Sequence, residues 1–208
     1  MPGDLHNHST CSDGSVPIHR LPLMAARVGL DTMAISDHDT LLSVQYCYDH
    51  PTQDGVRLIP ATELTGYDYE RSHRVHLLAF WPDPESKALR EHCDIMRQRR
   101  NECCLQSARE IEALYPQFRT EQALEYAKDS GVLYKSGIMR PCMSWACVTG
   151  SIPACTTISS GGTPGASCST RRNTARCGMY WLRPKQPGQS SFLLTRRSTR
   201  VCRWCGSW

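Results

Sequence analysis

Along residues 1–140, short apolar runs of strand length alternate with stretches of helical periodicity. Residues 3–8, 32–36, 56–60 and 75–80 read as strands, with apolar character reaching residue 65 in the third and beginning near residue 73 in the fourth. Between the first two, residues 17–28 place Leu21, Met24, Ala25 and Val28 on one helical face, and Gly29 is suited to end that helix. Residues 40–48 read as a short second helix. The period then changes for longer. Asp83-Pro84 predicts an N-cap and first position of a long helix. Its stripe runs through Ala88, Leu89, Cys93, Met96, Cys103, Ala108, Ile111 and Leu114, and a further helix is expected over residues 120–129. Strands alternating with helices predict an α/β fold, here followed by a helical segment.

The strand ends carry the chemistry. Asp4-Leu5-His6-Asn7-His8 puts two imidazoles on one face of an extended strand, because side chains at i and i+2 point the same way. Asp13-Gly14 follows within a turn, where the aspartate also fits a simple Asx-turn. Residues 33–40 end in Asp37-His38-Asp39, residues 56–65 reach Glu63, and residues 73–80 begin with His73 and His76. Histidine is the commonest metal-ligating side chain, so the set reads as a metal site. The plainer reading is surface histidines near a chain terminus and hydrogen-bonded turns. In a parallel barrel, ligands gather at the C-terminal ends of strands, which His76 fits less well because it precedes its apolar run.

In this order, HxH, Asp, DHD, Glu and His resemble the N-terminal half of the PHP (polymerase and histidinol phosphatase) family. DLHNHSTCSDGS, ISDHDT, IPATELTG and HLLAF look most like its phosphoesterases of nucleoside 3′,5′-bisphosphates and oligonucleotide 5′ ends. The resemblance covers roughly residues 3–140. It implies a distorted (β/α)7 barrel, incomplete in this chain. Residues 1–82 would hold the ligand-bearing half and residues 83–140 a helical insertion capping the metal site. By the same resemblance His6 and His8 hold one ion, Asp13 and His38 another, and Glu63 with His76 a third. Mixed His and carboxylate donors suit manganese, zinc or iron, two or three ions in the intact site. Asp37 and Asp39 are expected to orient histidines rather than ligate. Metal-bound water would attack the phosphorus of a nucleotide or short oligonucleotide, so no catalytic side chain is required. His19, His50, His73 and His92 read as solvated positions. Arg97, Arg99 and Arg100 fit either contacts to substrate phosphate or a solvated charged face.

Charge divides the chain. The net +4 conceals that all 20 acidic residues and all 8 histidines lie in residues 1–140, with 15 of the 24 Lys and Arg. Residues 141–208 hold nine basic residues, seven of the 12 Cys and four of the five Trp. Cys202-x-x-Cys205 offers half a zinc site, but Cys168 and Cys177 do not form the second pair that a zinc ribbon needs. Out-of-frame translation explains this composition better. Starting each codon one base earlier permits Met-Pro-Val-Val-Arg-Glu-Leu over residues 202–208, Leu-Leu-Ala-His-Pro over 192–196 and LHELGLCDGLYPRLYHDLF over 142–160. The expectation is a one-base loss near codons 140–142 and a poorly packed, disordered tail.

No apolar stretch reaches membrane-spanning length, and no basic, then apolar leader opens the chain. A cytoplasmic protein with thiol cysteines and no membrane partner is therefore expected. Two functional classes remain. One is a phosphoesterase impaired by the loss of downstream ligands, namely the Ala-His-Pro histidine and a later Gly-Ser-Asp-x-His pair. The other is a non-catalytic, partly folded remnant that binds metal weakly. A polymerase-attached PHP module is disfavoured, because nothing resembling a polymerase follows.

Overall fold

The computed structural model describes residues 2–149 and a two-residue strand, Thr195–Arg196. Five strands lie within the first 80 residues: β1 (Gly3–Asn7), β2 (Thr32–Ile35), β3 (Thr52–Gln53), β4 (Val56–Asp68) and β5 (His73–Phe80). Thr195–Arg196 is β6, paired antiparallel with β5. The sheet order is β1-β2-β4-β5-β6, with β3 added beside β4. β1, β2 and β4 are mutually parallel. Their crossovers are α1 (Leu21–Arg27) and α2 (Leu42–Asp49), as βαβ units require.

β4 organises the sheet. Its first part pairs with β2 from Arg57 to Pro60, and its second pairs antiparallel with β5 from Ala61 to Asp68. The chain beyond β2 then re-engages β4, because Glu63 N–H donates to Asp37 O at 3.1 Å and Asp39 N–H donates to Glu63 O at 3.0 Å. His38 and Glu63 are thereby held side by side as a parallel bridge. β3 enters β4 through Asp54 and Gly55, with φ of +52° and +78°. These are the conformations of a two-residue type I′ hairpin, for which Asp-Gly is favoured.

Gly29 ends α1 as expected, with φ +80°, and Leu30 N–H returns to Ala25 O at 3.0 Å. The helix buries only part of the face expected, with Ala25 in the core and Leu21 packed against it. Pro22 and Ala25 are buried, whereas Met24 and Val28 are 49% and 75% exposed. A 3-10 turn at Ile18–Arg20 precedes α1, and the helix stops at Arg27, which leaves Val28 at the C-cap. Ala25, Met33, Ile35, Cys47, Val56 and Leu58 form the core between helices and sheet.

The helical segment comprises α3 (Lys87–Leu114), α4 (Thr120–Leu124) and α5 (Lys135–Thr149). α3 starts later than the Asp83-Pro84 signal predicts. Asp83 instead accepts Glu85 N–H at 2.9 Å in an Asx-turn, and Ser86 is the N-cap. The inner face of α3 carries Leu89, Cys93, Met96, Cys104, Ala108 and Ile111, while Leu114 is 71% exposed. α4 gives way to a 3-10 turn at Glu125–Ala127 within the expected helix over residues 120–129. A second core of Cys104, Ala108, Ile111, Phe118, Ala123, Ala127, Leu133, Ile138 and Cys142 joins the three helices. α5 runs through the expected boundary at residue 140 and contains Pro141. Apart from β6, the expectation for the tail lies outside the described residues from residue 150 onward. Cys11, Cys47, Cys93, Cys104 and Cys142 are thiols, while Cys103 is disulfide-bonded, unlike the thiols expected throughout.

Candidate metal centre

Glu63 lies at the centre of the site and is 2% exposed. His6, in β1, places Nε2 2.8 Å from Glu63 Oε2. His8, just past the strand, places Nε2 3.1 Å from the same oxygen and Nδ1 3.4 Å from Asp13 Oδ1. His38 Nδ1 lies 3.6 Å from Glu63 Oε2 and its Nε2 3.9 Å from Asp13 Oδ2. His76 Nδ1 lies 3.2 Å from Glu63 Oε1. All six side chains singled out in the sequence therefore converge.

His76 joins the cluster because β5 runs antiparallel to β4. Its position pairs with Thr65, so the beginning of β5 lies beside the C-terminal portion of β4. The parallel-barrel rule predicted a poor fit for His76, and reversal of the strand accounts for the difference. Asp13 is delivered by a loop closed through Ser12 N–H and Gly14 N–H, which both donate to Ser9 O, at 3.1 and 3.0 Å. A Cβ at Gly14 would lie 2.4 Å from His8 O, so this close approach requires glycine.

Three groups of side chains can each surround one ion: His6, His8 and Glu63; His8, Asp13 and His38; and His38, Glu63 and His76. Within each, one ligand atom per residue lies within 4.8 Å of the others. Ions bound at about 2.0–2.2 Å from nitrogen and carboxylate oxygen are compatible with such spacing. His38 Nδ1 is buried without a hydrogen-bond partner. Unpaired buried nitrogens carry a desolvation cost that a metal ion would remove. The donor set fits zinc, manganese or iron.

The electrostatics favour ionised Glu63 beside neutral His38. Burial alone would raise the Glu63 pKa, but hydrogen bonds with His76, His8 and His6 hold it well below the ordinary carboxylate range. Burial lowers His38 to about 4, and Arg100 adds to the shift. Burial also acts to lower His8, but its Glu63 hydrogen bond and the charge of Asp13 outweigh this and raise it.

Asp37 and Asp39 make different contacts from those expected. Asp37 accepts Ser9 N–H at 2.7 Å, Ser9 Oγ at 2.6 Å and Ser12 Oγ at 2.5 Å, fixing the loop that carries Asp13. Asp39 accepts Thr65 N–H and Thr65 Oγ1, both at 2.7 Å, and a hydrogen bond from Arg100 Nη2. Its neighbouring imidazole is His92, at 3.7 Å, so His92 is half-buried rather than solvated. His19, His50 and His73 are exposed. Arg97 donates to Ser130 O at 2.7 Å. Arg100 and Tyr134 were not singled out as supports of the site. A signal for Arg100 was available: it occupies the inward slot between Met96 and Cys104 in the stripe of α3.

The PHP domain profile matches residues 4–161. The chain is 34% identical over 137 residues to a phosphoribosyl 1,2-cyclic phosphate 1,2-diphosphodiesterase of Eggerthella lenta, covering 65% of this chain and 52% of that protein. It is 29% identical over 101 residues to the 5′-3′ exoribonuclease Rnm of Escherichia coli, covering 48% of this chain and 34% of the relative. The chain thus spans about half the length, or less, of these curated relatives. Among solved structures, a metal-dependent phosphoesterase from Bifidobacterium adolescentis superposes with a TM-score of 0.62 at 24% identity, over 68% of this chain and 50% of that one. An amidohydrolase from Chromobacterium violaceum with bound sulfate gives 0.64 at 22%, over 79% and 56%. These two likenesses establish the fold. The family match over most of its length shows that this chain belongs to the PHP domain family.

Proposed function

We propose that this chain carries the N-terminal ligand set of a metal-dependent phosphoesterase acting on a phosphate ester of a nucleotide or short oligonucleotide. The observation that carries the reading is the buried Glu63 with four imidazoles within 3.6 Å of its carboxylate. His6, His8, Asp13, His38, Glu63 and His76 would hold two or three divalent ions, with Glu63 offering one oxygen to each of two. When bound, such ions polarise a phosphoryl oxygen and acidify a coordinated water, which are the needs of ester hydrolysis.

The chain's own part is geometric. The β1 and β2 ends fix the imidazoles, and Asp37 holds the loop that brings Asp13 toward His8 and His38. The relatives act, by their names, on a cyclic phosphoribosyl phosphate and as exoribonucleases, which supports a phosphorylated ribose derivative or RNA end as the substrate class.

Activity of the chain as written is proposed to be low. Each candidate ion has three protein ligands among the described residues, and affinity depends on ligand number and geometry. The out-of-frame reading of residues 141–208 belongs to this proposal, since the restored frame would supply the Ala-His-Pro histidine. The test is phosphate release from a nucleoside 3′,5′-bisphosphate by the full chain with manganese, beside a chain with the frame restored. The restored chain should be at least tenfold faster. Equal, relative-like rates would refute impairment, and no hydrolysis by either would remove this substrate.

A further inference from the structure

The helical segment reaches into the metal centre through one side of His38. Asp39, next in the chain, has φ +47°. That left-handed conformation is costly for a residue with a Cβ and persists only where its surroundings hold it. The Asp39 carboxylate is fully buried. It is held from β4 by Thr65 N–H and Oγ1 and from α3 by Arg100 Nη2, which also donates to Thr65 Oγ1 at 2.9 Å. The Arg100 guanidinium lies 5.0 Å from the Tyr134 ring centroid. Tyr134 in turn donates its hydroxyl to His38 O at 3.1 Å, and its ring stacks 6.5 Å from the His38 ring at 25°.

His38 is therefore framed by the insertion on three sides: its carbonyl, its ring and the residue that follows. A planar guanidinium suits this position because one terminal nitrogen bridges two acceptors while the face lies over an aromatic ring. Lysine would keep the charge and lose the fork and the stacking.

We propose that Arg100 and Tyr134 are positioning residues for His38, so that the helical insertion sets the binding of ions that use His38. This rests on the metal reading of the site. Of the three candidate groups, two contain His38, and the third (His6, His8 and Glu63) does not. Disturbing Arg100 should loosen the first two and spare the third.

The test uses the full chain, isotope-labelled, as wild type, Arg100→Ala, Arg100→Lys, Tyr134→Phe and the exposed-cation control Arg109→Ala. Imidazole NMR signals are read at fixed pH without metal, then during a zinc titration. In metal-free Arg100→Ala, the His38 ring signals should shift or broaden while those of His6 stay in place. In the titration, zinc equivalents involving His38 should weaken at least tenfold, and the one at His6, His8 and Glu63 should remain. Arg100→Lys should restore part of the effect, Tyr134→Phe should show a smaller change of the same kind, and Arg109→Ala none. Unchanged His38 signals and zinc binding in folded Arg100→Ala would overturn the proposal. If that variant fails to fold, Tyr134→Phe decides it by the same criterion. Wild-type protein that binds no zinc overturns the metal reading alone, and the metal-free His38 signals still decide the positioning role.

Discussion

The two parts of the described chain differ in how much polar side chain they bury. The interior joining α3, α4 and α5 is built from apolar groups such as Ala108, Ile111, Leu133 and Ile138. The strand part has its own apolar core under the sheet, but its C-terminal rim also buries Ser9, Ser12, Asp37, Asp39, Thr62, Glu63 and Thr65. Apolar burial contributes roughly 25 cal/mol per Å², whereas a buried polar group stabilises only when each atom finds a partner. Asp37 and Asp39 meet that condition by accepting three hydrogen bonds each. His38 Nδ1 does not. The difference separates stability, supplied by packing in both parts, from a polar cluster that keeps an unpaired imidazole nitrogen available to a candidate ion.

Substitutions should respect that division. The largest effect is expected from Glu63→Gln, which keeps the shape but removes the charge shared by two candidate ion groups. Metal retained after dialysis, measured by elemental analysis, should fall at least tenfold, in line with the usual cost of losing a ligand. In the helical core, Ile138→Ala removes a side chain only 1% exposed and should cost about 2–5 kcal/mol in denaturant unfolding. Its metal content, measured under folding conditions, should stay near wild type. A variant that loses both stability and metal together would blur the two regions.

Acid should act on the polar rim. Burial lowers His38 from 6.5 to about 4, so the unfolded state binds its proton first as pH falls. Stability is then lost from about pH 6.5 down to about 4. Glu63 and Asp39, both depressed, contribute stability above their unfolded pKa values that is lost as pH falls through the folded ones. His8 works the other way. Its raised pKa contributes below 6.5 and is lost as pH rises through the folded value. The melting temperature of metal-free protein should therefore fall from pH 7 to 4, and His38→Gln should flatten that slope. The smallest effect belongs to Met24→Lys. At 49% exposure it should change stability by less than about 0.5 kcal/mol, against the sequence-based expectation that Met24 faces inward.

Much of the candidate site was legible because its residues lie in short local patterns. The i, i+2 pair His6 and His8, the DHD run and Glu63 at a strand end each declare themselves within a few residues. What was harder to read depends on contacts between distant segments. An apolar run does not disclose its direction, so the reversal of β5 was missed, although four residues between Asp68 and His73 are too few for a parallel crossover. Val28 was misread as inward because α1 stops at Arg27 and leaves it at the C-cap. Arg100 was set aside as one member of a charged run, since the partner that gives it meaning, Asp39, lies 61 residues earlier. The Asp-Gly turn at Asp54 and Gly55 was a readable signal for β3.

Anomalous scattering from crystals of the full chain soaked in manganese would address the metal centre most directly. Peaks should appear at about 2.0–2.2 Å from the nitrogens of His6 and His8 and from a Glu63 oxygen, with a further ion between Glu63 and His76 or beside Asp13. Ordered His6, His8 and Glu63 side chains with no peak between them, at manganese concentrations that saturate an intact relative, would contradict the assignment of this cluster as a metal site.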